Sequence, residues 1–114
     1  MAMITVRDVK VYYREKGQGP GVVLLHCSGS SSGQWKLLME RLSERYHVLA
    51  PDFYGYGRTE TWPAGRTDLM ADSVAIVETM LDRLSGPAHL VGHSLGAHIA
   101  ARTAYHLGLF HSRC

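Results

Sequence analysis

Cysteine is scarce, long apolar runs are missing and charge never gathers in a block of one sign. Each absence removes a class of protein. The two cysteines, Cys27 and Cys114, stand far apart, which excludes a disulfide framework and a cysteine zinc site and fits a reducing, cytoplasmic setting. The first ten residues, MAMITVRDVK, lack the apolar centre of a secretory leader. No apolar run approaches the roughly 20 residues of a membrane span. Net charge is +2, from 12 Lys and Arg against 10 Asp and Glu, so neither nucleic acid nor a membrane surface is an expected partner. Metal-ligand spacing such as H-E-x-x-H is absent, and the glycines at 92 and 96 enclose no phosphate-loop lysine; no metal and no cofactor are expected. Repeats and linkers are also lacking, and the only low-complexity stretch is the short run from Ser28 to Ser32. With 114 residues, 46% hydrophobic, the chain has material for one core and not for two.

What is present is an alternation of strand and helix signals. Residues 4–15, ITVRDVKVYYRE, alternate apolar and polar around a polar break at Arg7 and Asp8, predicting a hairpin with one solvated face. Turn residues from Gly17 to Gly21 precede Val22-Val23-Leu24-Leu25, a continuous apolar run expected to be a central strand buried on both faces. Trp35, Leu38, Met39, Leu42 and Tyr46 follow at helical spacing behind a serine cap. Val48-Leu49-Ala50 is a second buried strand, and it runs into a long glycine- and aromatic-rich loop from Pro51 to Pro63. Thr67 is a capping residue for a helix carrying Met70, Val74, Val77, Leu81 and Leu84, stopped by Gly86-Pro87. His89-Leu90-Val91 is a third strand, followed by a helix through Ala97, Ala100, Ala101 and Ala104. The order predicts an α/β fold, a mostly parallel sheet with helices on both faces.

Between that third strand and that helix lies Gly92-His93-Ser94-Leu95-Gly96, a G-x-S-x-G pattern. In such a strand-to-helix turn the serine is strained and its hydroxyl stands at the carboxyl edge of the sheet, with glycines where side chains would strike the neighbouring strand and helix. Ser94 is the candidate nucleophile. The following helix turns free N–H groups towards it, so Leu95 N–H is one candidate oxyanion donor. A second must come from the loop leaving the central strand, His26-Cys27-Ser28-Gly29, where Ser28 N–H is the candidate.

Three ordered motifs carry a family resemblance: Leu25-His26-Cys27-Ser28 with Trp35 downstream, Asp52-Phe53-Tyr54-Gly55-Tyr56-Gly57-Arg58-Thr59, and Gly92-His93-Ser94-Leu95-Gly96-Ala97. Together they resemble the α/β-hydrolase family, the second being similar to its D-x-x-G-x-G-x-S loop with Thr59 in place of serine. The resemblance covers residues 4–104. It implies that residues 1–114 form the N-terminal part of a domain whose complete sheet has eight strands, a truncated α/β-hydrolase fold. It also implies Ser94 as nucleophile, with the Leu95 and Ser28 amides as oxyanion hole. The implied activity is that of a serine hydrolase, passing the acyl group of a small ester-like substrate to Ser94 and then to water. Serine in the elbow speaks against the aspartate-nucleophile dehalogenases and epoxide hydrolases of the same fold.

Two departures matter. Cys27 stands where the family usually has glycine, and is read as a small buried side chain; His26 is read as an orienting residue. The acid and histidine implied by the family both fall beyond Cys114. None of His93, His98, His106 and His111 stands where a base arrives in this fold, and Asp52, Asp68 and Asp72 have no claim to be the acid, Asp52 being expected to organise its loop. Trp35, Trp62, Tyr54 and Tyr56 are open to two readings, acyl-pocket lining or packing. The competing functional class is a catalytically inactive fragment that binds or interacts. It would self-associate through the open edge of the strand at His89–Val91.

Overall fold

Residues 1–107 are described in the computed structural model of the chain; His111 and Cys114 lie outside the described residues. The polar break at Arg7 and Asp8 is a two-residue hairpin turn with positive φ at both positions, 45° and 70°, the turn form whose twist matches that of paired strands. It joins β1 (Ala2–Val6) to β2 (Val9–Lys16) in antiparallel register, with Val6 opposite Val9. The remaining strands are β3 (Gly21–Leu25), β4 (His47–Pro51) and β5 (Ala88–Gly92). The order across the sheet is β1-β2-β4-β3-β5. β4, β3 and β5 are mutually parallel, and β2 joins β4 antiparallel. The sheet is therefore mixed, with a parallel half that bears the three motif loops.

Both faces are covered, as the apolar runs require. Val22 and Leu24 of β3 and Val48 and Ala50 of β4 pack under α1 (Lys36–Leu42) through Met39, Trp35, Leu42 and Tyr46. Val23, Leu25 and Leu49, one pleat over, meet Ile76, Val77 and Met80 of α2 (Leu69–Asp82) and Ile99 of α3 (Leu95–His106). Period-two alternation thus feeds two separate cores from the same strands.

The structure corrects several details. The first helix is short: residues 32–35 form a 3₁₀ turn capped by the Ser31 hydroxyl, and the α-helix ends at Leu42, so Tyr46 packs from the loop and Leu38 faces outward at 39% exposure. The second helix is capped by Asp68, not Thr67, its carboxylate accepting from Ala71 N–H at 2.9 Å. Leu84 is buried beyond the helix end. In α3 the packed face is Gly96, Ile99 and Thr103, with Ala97 and Ala101 exposed. β5 pairs only with β3 among the described residues, and its side chains alternate between half-buried and exposed, Val91 reaching 37%. Among the described residues no helix is long and apolar enough to cross a membrane.

Candidate active site

The carboxyl ends of β3, β4 and β5 share one edge of the sheet because these strands are parallel. The chain leaves β3 towards α1 on one face and leaves the adjacent β5 towards α3 on the other. Such a divergence opens a crevice at the carboxyl edge, where open α/β sheets bind ligands.

Ser94 stands at that divergence, exposed, with φ 56° and ψ −113°. A side-chain-bearing residue held there stores on the order of 1–3 kcal/mol of backbone strain. Its neighbours hold it. His93 N–H donates to Leu25 O at 3.1 Å, extending the β3–β5 pairing past the end of β5, and Gly96 N–H donates to His93 O at 3.0 Å. A Cβ on Gly92 would lie 2.5 Å from Ala97 N, and one on Gly96 would lie 2.0 Å from Leu25 O. Both glycines are therefore required by close approach, as the motif predicts.

The loop after β3 is fixed by a buried histidine. His26 accepts Phe53 N–H at Nε2 (3.0 Å), so its proton sits on Nδ1, which donates to Cys27 O at 2.8 Å. Ser30 N–H, at 3.3 Å, is a second donor to the same oxygen. Because a trans peptide is planar, holding the Cys27 carbonyl aims Ser28 N–H the opposite way. Ser28 N–H and Leu95 N–H find no intramolecular acceptor among the described residues. Cys27 is half-buried and belongs to neither core, less enclosed than the small buried side chain expected from the sequence.

Burial holds His26 below the ordinary histidine range, against the opposing pull of the Cys27 carbonyl and the Asp52 charge. The neutral ring is the form that the two hydrogen bonds require. With the folded value below the unfolded 6.5, the unfolded chain binds the proton more readily. The stability that neutral His26 contributes is whole above pH 6.5 and drains as pH falls through the folded value. Urea midpoints taken from pH 8 to 5 are expected to fall more steeply for the parent than for His26→Gln; identical slopes would refute the assignment.

The loop after β4 is organised by Asp52, which is 1% exposed. Its carboxylate accepts Ser32 N–H at 2.7 Å and Arg58 N–H at 3.2 Å. Thr59 donates its hydroxyl to Asp52 O at 2.8 Å and accepts Tyr12 N–H at 3.0 Å. Tyr56, carried by this loop, approaches the Ser28 hydroxyl at 3.2 Å and sets its ring edge-on to His26. The other aromatics are packing. Trp35 belongs to the α1 core. Trp62 donates to Asp72 at 2.9 Å, and Tyr54 donates to Asp72 O, its hydroxyl pushed up to about 12 chiefly by burial and then by the Asp72 charge. Asp72 is bound by Arg7, Arg66 and Trp62, a clamp that ties the loop to the first hairpin.

No side chain among the described residues hydrogen-bonds the Ser94 hydroxyl. His93 is turned to Gln34 at 2.9 Å, and exposed His106 stands 3.7 Å from Glu78; His98 contributes a backbone bond, its N–H donating to Ser94 O. The structure thus brings Ser94, Leu95 and Ser28 to one sheet edge without a base. A surface hollow of about 740 Å³ beside Met1, Arg14 and Leu37 lies away from them. Gln34 was not legible in the sequence: it precedes Trp35 with no motif around it, yet its side chain contacts two of the three motif loops.

A family model described as "Alpha/beta hydrolase family" matches residues 22–113. Protein phosphatase methylesterase 1 of Mus musculus is 33% identical over 107 residues, covering 88% of this chain and 27% of that protein. A 2-(acetamidomethylene)succinate hydrolase of Mesorhizobium japonicum is 34% identical over 96 residues, covering 82% and 34%. Among solved structures, an epoxide hydrolase from Vigna radiata superposes with TM-score 0.76 at 30% identity, covering 91% of this chain and 34% of that one. The chain thus spans only about a third or less of the length of these relatives.

Proposed function

The chain belongs to the alpha/beta hydrolase family, and from that premise we propose that Ser94 is the nucleophile of a serine hydrolase acting on a small ester-like substrate. The observation that carries the reading is the conformation of Ser94, a strained non-glycine residue held between β5 and α3 by two glycines that cannot accept a Cβ. Ser94 Oγ attacks the substrate carbonyl while its proton passes to a base. The resulting oxyanion is held by Ser28 and Leu95 N–H, and collapse expels the alcohol, which takes up the proton. Water then repeats the sequence on the acyl-serine, releasing the acid and restoring the hydroxyl. The base is supplied by polypeptide outside residues 1–107. The methylesterase and the succinate-derivative hydrolase support hydrolysis of an acyl derivative. The epoxide hydrolase shares the fold, but Ser94 itself favours acyl transfer.

A second reading rests on two absences among the described residues, a contact at the Ser94 hydroxyl and a pairing partner on the far side of β5: an inactive module that self-associates along that strand. One sample decides between the two. Sedimentation velocity reads association first, and a monomer ends the second reading. A fluorophosphonate probe is then added with and without imidazole as external base, and intact mass is recorded. The expected result is a single adduct on the parent, formed about 10-fold faster with imidazole, and none on Ser94→Ala. A folded parent that stays unlabelled even with imidazole removes the hydrolase reading for this chain.

A further inference from the structure

We propose that Gln34 is a positioning residue that sets the distance between the oxyanion-hole loop and the nucleophile elbow; this rests on the reading of Ser94 and Ser28 given above. The Gln34 side chain spans the crevice. Its Oε1 accepts Cys27 N–H at 2.9 Å, and its Nε2 donates to His93 Nδ1 at 2.9 Å. Cys27 immediately precedes Ser28 and His93 immediately precedes Ser94, so one planar amide ties together the residues just upstream of the donor and of the nucleophile, Gln34 and His93 being 59 positions apart in sequence.

The strap has a rigid base. Gln34 lies in the 3₁₀ turn whose first N–H, from Ser32, is held by buried Asp52, and Gln34 N–H itself donates to Ser31 O at 3.0 Å. The two peptide units that flank the Cys27 Cα each have a fixed partner, Gln34 on the Cys27 N–H and His26 on the Cys27 carbonyl. Without Gln34 the β3–β5 pairing and the Cys27 carbonyl bond remain, but the loop loses its side-chain tie to His93 and can pivot about that carbonyl, so Ser28 N–H drifts in place and direction relative to Ser94. A misplacement on the ångström scale at an oxyanion donor costs about 10- to 100-fold in rate. The chemistry of the strap also fixes which replacements serve. Glutamate accepts Cys27 N–H equally well and accepts from His93 once its ring carries the proton on Nδ1. Leucine does neither, and asparagine is one methylene too short to reach both.

The test measures phosphonylation of Ser94 by the fluorophosphonate probe in the presence of imidazole, resolved into the saturating rate and the half-saturating probe concentration. Gln34→Leu and Gln34→Asn are expected to lower the saturating rate about 10- to 100-fold with half-saturation unchanged, and Gln34→Glu to restore it. Equal saturating rates for parent and Gln34→Leu overturn the proposal, as does a loss that Gln34→Glu fails to repair. A parallel measurement needs no labelling: the orientation of the Ser28 N–H vector relative to that of Leu95, from residual dipolar couplings in the folded chain. If the parent is never phosphonylated, the hydrolase reading falls by itself, and the couplings decide the strap. A changed or averaged Ser28 vector in Gln34→Leu upholds it, and an unchanged vector overturns it.

Discussion

Gly96→Ala is expected to destabilise the chain by about 2–3 kcal/mol or more, the range for overpacking a rigid site. Helix propensity argues the reverse, since alanine in a helix interior is favoured over glycine by about 1 kcal/mol. Sterics decide. The new Cβ would lie 2.0 Å from Leu25 O, 2.5 Å from Leu25 C and 2.8 Å from His26 O, backbone atoms of the buried end of β3 and of the buried residue that follows it. Relief requires α3 to move off the end of β3, which breaks the seat of the elbow and exposes Ile99 and Thr103. Gly86→Ala is the control. That glycine has φ 89° but nothing within 4 Å, so only backbone strain of about 1 kcal/mol per residue opposes the change. Urea unfolding checks both, and a Gly96→Ala midpoint at or above the Gly86→Ala midpoint would reject the steric account.

Asp52→Ala carries the second large effect, an expected loss of about 2–5 kcal/mol. The side chain is buried and satisfies two backbone amides, Ser32 N–H and Arg58 N–H, and each buried donor left without an acceptor costs about 1–3 kcal/mol. Asp52→Asn falls between: its carbonyl serves Ser32 N–H while its NH2 confronts Arg58 N–H. Geometry supplies a further check. Gly57, at φ 56°, has room for a Cβ only 2.3 Å from the Asp52 carboxylate. Gly57→Ala alone therefore meets both strain and collision, and on the Asp52→Ala background it meets strain alone. A double-mutant cycle in urea should show positive coupling; strict additivity would mean that the carboxylate does not fill that space.

Much of this arrangement was legible in the sequence, and the reasons are specific. The hairpin and the three parallel strands could be read because alternation and continuous apolar runs are properties of single segments, and β1 to β5 carry them plainly. The strained turn at Ser94 could be read because its two glycines answer to contacts within the elbow and with one neighbouring strand. Asp52 could be assigned to its loop because its motif is local, and Thr59 at the end of that motif donates its hydroxyl to Asp52 O. What escaped depends on neighbours distant in sequence. Thr67 and Asp68 are adjacent residues of capping type, and only the backbone at Asp68, φ −129° and ψ 83°, chooses between them. The first helix is shorter than its apolar spacing because Asp52 and Ser31 bind the turn at residues 32–35 in a tighter form. Gln34 matters through two partners in separate loops, and no pattern around it announces either.

The seat of the elbow against the end of β3 also fixes an order of events. Leu25 and His26 are synthesised long before Gly92 and Gly96, and the two stretches meet only when β5 docks beside β3. Closing so long a loop is an entropic cost met before any contact rewards it. Until then the serine has no reason to hold its unfavourable backbone angles and no aligned amide faces it. A nascent chain emerging from the ribosome therefore carries an ordinary, relaxed backbone at position 94, and it is the docking of β5 beside β3 that imposes the positive φ.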